Sequence, residues 1–449
     1  MDFHQYREVL AERVGRLALP FEDAEYARRR NAVAAAMEIA GLDGLLVTDA
    51  ADICYLTGYN TFEVSVHTAL LLTAGRDAGT GGAAGASGAG SGETGAGETA
   101  SGQGRAILQV PSIETGPAVT TARVDEVVGY RWEAANAAVE QMASICADHG
   151  LTGAGGPPIW PGDVGASAGV SGNGARRLGT DNWSASLRNG FRDGLAATLN
   201  GVELVDASGL VDAVKIVKSE PEIALLRESA RITEAGIAAA ESLIAPGVTD
   251  QQLAATGSAA MLAAGGEFMS LQPIVTTGWR SSVIHCNHQR HTVAEGEPVF
   301  LEFGSAWHRY TAPMMRTRVA GKPDDQMLQV SEVIQAIYAE LLAHMRPGVT
   351  MDAAAAAAGQ ALAPVADKAF FSGVYGYTVG IQFPPSWVEG SGYIARGVER
   401  EFVENMVFHL PLMLRIPGVW GIGMSNTVRV TATGGEALTG NDLMLQGSG

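Results

Sequence analysis

The second half of the chain carries an ordered series of helical and strand patterns that restricts its fold more than any other feature. Ser219, Pro221 and Glu222 predict a helix start, since they supply a cap, a preset backbone angle and a charge that suits the helix dipole. Further helical patterns lie at 250–264, 326–345 and 351–368, and strand-like segments at 272–278, 298–306, 308–320, 374–383, 407–414 and 420–432. Helices packed over a mostly antiparallel sheet, an α+β domain, are expected for residues 215–449.

The first half predicts a different architecture. Residues 24–40 place apolar side chains at helical spacing, and strand-like segments begin at 44, 64 and 106. After the strand at 44, we expect a polar turn and a short apolar segment. This alternation of helix and strand indicates an α/β domain over residues 1–214.

Two segments lack the composition of a packed core. Residues 74–104 are nearly all Gly, Ala, Ser, Thr and Glu, and residues 153–177 are rich in Gly and Pro. Such chains bury too little apolar surface to offset the entropy lost on ordering. The first segment is interpreted as a flexible loop at a hairpin tip, because apolar sequence resumes at 106–112, and the second as a surface loop.

Composition limits the partners and the compartment. The formal net charge of −18 argues against nucleic acid or an anionic membrane as a partner. Cys54, Cys146 and Cys286 lie far apart and predict no disulfide framework. The polar start lacks the apolar core of a signal peptide, and no run of about 18 apolar residues could span a bilayer. A cytoplasmic location is expected.

The order of the C-terminal motifs resembles the pita-bread family of methionine aminopeptidase, prolidase, aminopeptidase P and creatinase. The motifs are the acid-bearing strand at Glu302, the Tyr-x5-Arg-Thr strand at 310–317 (YTAPMMRT) and the Gly-x-x-x-Gly strand at 376–380. In the first half, 55–59 (YLTGY) is similar to the N-terminal domain of creatinase and prolidase. The resemblance implies a C-terminal pita-bread fold with an N-terminal creatinase-like α/β domain, and a homodimer.

The metallopeptidases of that family hold two metal ions with two Asp, one His and two Glu. The corresponding positions here are Glu302, Pro313, Tyr377, Pro411 and Ser425. A single carboxylate does not suffice for a metal pair. The resemblance therefore predicts a protein without a metal site or cofactor. It argues against a metal-dependent Xaa-Pro peptidase.

Metal-free members, creatinase and ectoine hydrolase, cleave C–N bonds in amidine-like groups. The sequence is more similar to ectoine hydrolase, through Glu302, Tyr-x-x-Pro-x-x-Arg-Thr at 310–317, GYTVGIQFPPSW at 376–387 and FHLP at 408–411. A carboxylate can balance an amidinium charge, and a neutral His can move a proton between water and the leaving nitrogen. His285, 17 residues before Glu302 as in the family pattern, and Glu302 are therefore the predicted catalytic pair.

Seven further residues are predicted to bind substrate: Tyr377, Trp387, His409, Glu389, Phe62, His67 and Arg280. Several of these predictions have an alternative. Trp387 either stacks on a planar amidinium or packs under a loop. Arg280 either binds a substrate carboxylate or is an ordinary loop arginine. Phe62 and His67 either reach the active site of a partner subunit or pack within their own domain.

The sequence thus predicts a metal-independent hydrolase of a non-peptide C–N bond (a cyclic amidine, guanidino group or lactam) in a small carboxylated substrate. Three alternatives remain open: a lyase or biosynthetic enzyme on the same scaffold, an inactive pita-bread binding protein, and a metal-dependent Xaa-Pro peptidase. Whether Glu302 acts as an electrostatic anchor, with His285 as the acid/base, or as a nucleophile is not decided by the sequence.

Overall fold

The computed structural model describes residues 1–75, 104–134, 136–151, 175–440 and 442–448. The chain divides into two compact units, Met1–Val214 and Lys215–Gly449. The predicted loops at 74–104 and 153–177 lie almost wholly outside the described residues. At the end of the second one, Arg176 and Arg177 are instead the first residues of a strand.

The N-terminal unit is an α/β domain, as predicted. Its α-helices are α1 Phe3–Arg13, α2 Asp23–Ile39, α3 Ala50–Thr57, α4 Thr115–Thr121, α5 Ala137–Asp148, α6 Asn189–Thr198 and α7 Leu210–Lys215, the last ending at the unit boundary. Its strands are β1 Gly44–Val47, β2 Ala69–Thr73, β3 Ala106–Pro111, β4 Glu126–Tyr130, β5 Arg176–Thr180 and β6 Val202–Asp206.

The six strands form one mixed sheet in the order β4-β3-β2-β1-β5-β6. β2 and β3 pair antiparallel, with Leu72 opposite Ala106, so the strands on either side of 74–104 form the predicted hairpin. The expectation for 50–57 was wrong. Asp49 accepts the Ala51 and Asp52 N–H groups, and this cap begins a helix where a turn and a short apolar segment were predicted.

The C-terminal unit is the predicted α+β domain. Its α-helices are α8 Glu220–Glu241, α9 Asp250–Ala263, α10 Asp325–His344 and α11 Met351–Ala361. Its strands are β7 Ile274–Thr277, β8 Pro298–Phe303, β9 Ala306–Trp307, β10 Tyr310–Thr311, β11 Met314–Ala320, β12 Val374–Thr378, β13 Tyr393–Ala395, β14 Val407–His409, β15 Leu412–Ile416, β16 Trp420–Met424, β17 Thr427–Val430, β18 Gly435–Ala437 and β19 Gln446–Ser448.

Two sheets and a hairpin dominate this unit. The sheets run β19-β11-β8-β7 and β13-β12-β14-β17-β18, and β15 pairs with β16. α8 begins as predicted: Pro221 lies in its first turn, and the Glu222 side chain accepts the Ser219 N–H at 2.9 Å. β8 alternates its side chains between two environments. Leu301 and Phe303 share an apolar cluster with residues of α8 and α9, whereas Phe300 clusters with Met315 and Met413.

None of the helices in the described part of the chain combines the length and apolarity needed to cross a membrane.

His67 lies in the core of the N-terminal unit rather than on its surface. It is 7% exposed, and its ring centroid is 4.0 Å from that of Phe191. Neither ring nitrogen has a hydrogen-bond partner of acceptable geometry among the described residues. Burial lowers the pKa of His67 to about 4, and the charge of Arg188 adds to this effect.

We expect His67 to make the N-terminal unit sensitive to acid. The unfolded chain takes up a proton near the ordinary pKa of 6.5, whereas the folded chain takes it up only near 4, so stability falls as the pH drops through this window. The loss approaches about 3 kcal/mol, at about 1.4 kcal/mol per pKa unit. Urea unfolding at pH 7.5 and pH 4.5 measures it, and His67→Phe should remove it.

His4→Phe is the matched control, because the His4 side chain is 63% exposed. If His67→Phe loses as much stability as the parent between the two pH values, the buried imidazole is not the cause.

Candidate active site

Glu302 lies on β8 in a row of three side chains across the sheet. Its neighbours in register are Ile274 on β7 and Met315 on β11. The alternation of β8 points it away from α8 and α9, to the face where Phe300 and Met413 cluster. Glu302 is half-buried, and this burial raises the pKa of its carboxyl group to about 7.

Arg415 on β15 is the charged group that acts on Glu302. Its positive charge partly offsets the effect of burial on the pKa of Glu302. In return, burial lowers the pKa of Arg415 while the Glu302 charge opposes that change. The Arg415 Nε atom is buried and has no hydrogen-bond partner among the described residues. The row around Glu302 therefore holds one carboxylate and one incompletely paired guanidinium.

Tyr377 and His409 face each other on neighbouring strands. β12 and β14 pair antiparallel with Tyr377 opposite His409, and the Tyr377 hydroxyl lies 2.8 Å from His409 Nδ1. The Trp387 indole N–H donates to the same hydroxyl at 2.9 Å. The charge of Glu302 acts on Tyr377, so the phenol belongs to the surroundings of the carboxylate.

Ser425 connects the strand pair of Tyr377 and His409 to the row of Glu302. It lies between β16 and β17, and its hydroxyl oxygen is 2.5 Å from His409 Nε2. The same oxygen accepts the Met315 backbone N–H at 2.7 Å, and the Ser425 N–H donates to the Met315 carbonyl at 3.1 Å. Arg316 fixes this junction, since its guanidinium donates to the Ser425 carbonyl at 2.6 Å. One chain of hydrogen bonds thus runs from Trp387 to the strand beside Glu302.

Burial keeps His409 and Tyr377, the titratable groups of this hydrogen-bond chain, neutral. It lowers the pKa of His409 to about 3, so the imidazole is uncharged near neutral pH. Burial, and then the charge of Glu302, raise the pKa of Tyr377 well above its usual value, so the phenol keeps its proton. The site therefore combines a carboxyl group that ionises near neutral pH with neutral hydrogen-bonding groups.

Trp387 is packed inside the protein, at 1% exposure. A Cβ atom at position 304 would lie 2.9 Å from the indole Cε3, so Gly304 leaves the room that the ring needs. The buried Arg309 donates to the Gln382 carbonyl at 2.9 Å and anchors the segment before Trp387. This geometry favours packing of Trp387 within the protein over stacking on a substrate amidinium. The indole N–H makes its hydrogen bond to Tyr377.

Glu389 belongs to a buried ion pair. Its Oε2 atom lies 2.7 Å from Lys218 Nζ, and each side chain is 1% exposed. Ser391 also donates to Oε2, at 2.9 Å. Removing one partner of such a pair leaves the other charge buried without compensation, which destabilises the fold. A structural role therefore accounts for Glu389.

Arg280 lies in the short 3-10 helix Gly278–Ser282 that follows β7, and His285 lies in the turn after it. His285 is exposed with φ of 55°, and the described contacts include no hydrogen bond or ion pair of its side chain. Arg280 is 9% exposed and donates to the Asn287 carbonyl at 2.5 Å and to the Gln289 side chain at 3.3 Å. These contacts join neither residue to Glu302, and the role of His285 as acid/base stays a prediction.

Phe62 and His67 belong to the N-terminal unit. Phe62 is 79% exposed, whereas His67 is buried against Phe191. Their predicted reach into a partner subunit stays a prediction. For His67, packing within its own domain is the arrangement observed.

Sequence reasoning overlooked Arg415 and the function of Ser425. Ser425 was considered only as a position where a metal ligand is absent, and Arg415 was not among the predicted site residues. No local pattern marks either residue, because each acquires its partners from a strand about a hundred residues away in sequence.

The donor set does not fit the metal pair of the related peptidases. Among the described residues, no group of three or more His, Cys, Asp or Glu side chains could hold a metal ion. Pro313, which the sequence resemblance assigns to the position of the second Asp, accepts the Thr427 hydroxyl with its carbonyl at 2.8 Å. The hydroxyl oxygens of Tyr377 and Ser425 lie within hydrogen-bond distance of His409. Hard divalent ions require several oxygen or imidazole ligands at one point, and Glu302 alone does not supply them.

Comparison with known proteins identifies the two units. Residues 224–432 match the family model of metallopeptidase family M24, and residues 29–80 match the creatinase/prolidase N-terminal domain. Together the two matches cover more than half of the chain.

The curated relatives include proteins with different described activities. Ectoine hydrolase of Halomonas elongata is 25% identical over 441 residues, covering 94% of this chain and 97% of the relative. Xaa-Pro dipeptidase of Pyrococcus horikoshii is 24% identical over 266 residues, covering 59% of this chain and 74% of the relative. Sequence identity alone therefore does not separate the two activities.

Solved structures share the whole fold. The prolidase of Pyrococcus horikoshii superimposes with a TM-score of 0.70 at 19% identity, covering 93% of this chain and 100% of that chain. Dipeptidase PepE of Mycobacterium ulcerans superimposes with a TM-score of 0.69 at 24% identity, covering 95% and 99%. The predicted pita-bread architecture with a creatinase-like N-terminal domain is confirmed.

We expect Glu302→Gln to stabilise the C-terminal unit above pH 7. The folded protein holds the proton of Glu302 up to about pH 7 and the unfolded chain only to about 4.5, so ionisation of this residue costs stability as the pH rises through that window. The neutral amide avoids the cost, a gain of up to about 3 kcal/mol at about 1.4 kcal/mol per pKa unit. Urea unfolding at pH 8 and pH 4.5 measures it.

The exposed Glu332 on α10 supplies the control, Glu332→Gln. An equal gain at both pH values, or none at pH 8, would contradict the buried ionisation.

Proposed function

We propose that this chain, a hydrolase that belongs to metallopeptidase family M24, cleaves a C–N bond other than a peptide bond and does so without a metal ion. The substrate class is a small carboxylated molecule with a cyclic amidine, guanidino or lactam group, as in ectoine. The observation that carries the proposal is the donor set, in which a single carboxylate stands among neutral hydroxyl, indole and imidazole groups.

The carboxylate suits a cationic substrate. An amidinium group would gain charge-assisted hydrogen bonds from ionised Glu302, and such bonds are strong in a site of low polarity. The amidinium carbon already carries positive charge, so water can add to it without a Lewis acid. We assign the carboxylate of the same substrate to Arg415, whose Nε atom lacks a hydrogen-bond partner among the residues that the structure describes.

Two routes balance the hydrolysis. In the first, Glu302 takes a proton from water as the water oxygen bonds to the carbon, and the proton then passes to the nitrogen as the C–N bond breaks. In the second, a Glu302 oxygen bonds to the carbon, the nitrogen leaves with a proton that the cationic substrate group already carries, and water attacks the Glu302 carbonyl carbon of the resulting acyl imidate or anhydride, which releases the product and restores the carboxylate. A single turnover in H₂¹⁸O separates them, because only the second leaves label in Glu302.

A metal-dependent dipeptidase is the second candidate, favoured by the relatives described as Xaa-Pro dipeptidase and dipeptidase PepE. The cytoplasmic location and the homodimer stay predictions.

We expect chelator-treated protein to turn over a cyclic amidine acid and to leave Xaa-Pro dipeptides intact. Mass spectrometry of a panel of cyclic amidine, guanidino, lactam and dipeptide substrates measures this. One solvent ¹⁸O atom in the product identifies hydrolysis and excludes elimination. Glu302→Gln should abolish turnover, whereas Glu332→Gln should retain it. Dipeptide cleavage that requires added Mn²⁺ or Zn²⁺ would establish the second candidate instead.

The activity should fall below about pH 7, where Glu302 takes up a proton. Arg415→Met removes the charge that holds the pKa of Glu302 down, so the acid limb of kcat/KM should move to higher pH. Arg415→Lys keeps the charge and is the control. The position of the limb, rather than the absolute rate, is compared, because Arg415 also faces the proposed substrate. If the acid limb of kcat/KM stays at the same pH in Arg415→Met, Glu302 is not the group whose titration limits activity.

A further inference from the structure

Two backbone or ring N–H groups, which can only donate, limit which atoms donate and which accept along the hydrogen-bond chain at the site. The Met315 backbone N–H donates to the Ser425 hydroxyl oxygen, and the Trp387 indole N–H donates to the Tyr377 hydroxyl oxygen. Neither group can accept. The hydrogens of Ser425, His409 and Tyr377 must therefore be assigned to donor positions between the Met315 N–H and the Trp387 N–H.

Two arrangements satisfy the distances. In one, the Ser425 O–H donates to His409 Nε2, and the His409 Nδ1–H donates to the Tyr377 oxygen. In the other, His409 Nε2–H donates to the Ser425 oxygen, and the Tyr377 O–H donates to His409 Nδ1. The first leaves the Tyr377 O–H unused within the chain. The second leaves the Ser425 O–H unused.

Burial distinguishes the two. Ser425 and His409 are 0% exposed, whereas Tyr377 is half-buried. The described contacts of the Ser425 hydroxyl are those with His409 and Met315, so the second arrangement strands a donor in the core. An unsatisfied buried donor costs about 1–3 kcal/mol. The first arrangement instead places the unused donor on Tyr377, which is the most exposed of the three residues.

We propose that Tyr377 donates its hydroxyl hydrogen bond to the substrate, and that Ser425 and His409 are positioning residues that direct this hydrogen by fixing the Nδ1–H tautomer of His409. The inference rests on the proposed function, since it requires the substrate to react beside Glu302. Tyr377 acts on the substrate atom that gains negative charge, the oxygen or nitrogen attached to the reacting carbon. Because the phenol is such a weak acid here, it donates a hydrogen bond rather than transferring its proton.

The tautomer of His409 is measurable without a substrate. With ¹⁵N-labelled histidine, long-range ¹H–¹⁵N spectra distinguish the nitrogen that carries hydrogen from the one that does not. The chain has nine histidines, and the spectrum of His409→Gln assigns the signal. We expect Nδ1–H and a bare Nε2 in the resting protein. Ser425→Ala should mix the two tautomers, and Ser425→Thr should restore the first. An Nε2–H tautomer in the parent protein would overturn the proposal whether or not a substrate is known.

Kinetics on the substrate found by the panel test the role of Tyr377. Tyr377→Phe should lower kcat by about 100-fold with little change in KM, since loss of one donor to a developing charge has effects of this size. Trp387→Phe is the matched comparison: it removes another bond to the same hydroxyl oxygen but leaves the O–H direction intact, so its effect on kcat should be smaller. Equal effects of the two variants would mean that packing, not donation, explains Tyr377.

The outcomes separate this inference from the proposed function. If the protein has dipeptidase activity and His409 is the Nδ1–H tautomer, the inferred hydrogen-bond direction holds but the proposed amidine substrate is wrong. Amidine hydrolysis together with an Nε2–H tautomer would retain the function and discard the role of Tyr377.

Discussion

Ser425 joins the two sheets of the C-terminal unit, and the geometry of the site depends on that junction. Its backbone and hydroxyl groups bond to Met315 on β11, the strand that flanks Glu302. Its hydroxyl also reaches His409 on the other sheet, and Arg316 holds its carbonyl in place. The carboxylate and the Tyr377 phenol arise from sheets that share no strand. Ser425 links these two sheets because it hydrogen-bonds to residues of both.

By the correspondence predicted from the sequence, the same junction occupies a position at which the related peptidases bind metal. In that correspondence a hydroxyl bonded to an imidazole and a backbone N–H stands in place of a carboxylate, and Tyr377 stands in place of a histidine. The result is a network of neutral groups, in which burial removes charge from His409 and keeps the proton on Tyr377. Glu302 and Arg415 remain as the charged groups of the site, each with its pKa shifted by burial and partly restored by the other.

Local sequence signals predicted the elements well where the pattern was strong. The start of α8 followed from Ser219 and Pro221, and the hairpin of β2 and β3 from apolar segments on either side of a Gly-rich tract. α3 was missed, because its eight residues are too short and too apolar to show a helical period. Glu302, Tyr377 and His409 were found through resemblance to a family, and the fold brings the last two within hydrogen-bond distance.

The sequence by itself determined the fold family and the division of patterns between the two halves, since these depend on residue type and order. It also predicted, through the family resemblance, that all but one of the metal-binding carboxylates are absent. Only the tertiary structure decided that Trp387 is buried, that Glu389 pairs with Lys218 and that Ser425 and Arg415 belong to the site. These features depend on which strands become neighbours. Hydrogen bonds and desolvation act over a few ångströms, and residues distant in the chain come within that range only when the sheets have formed.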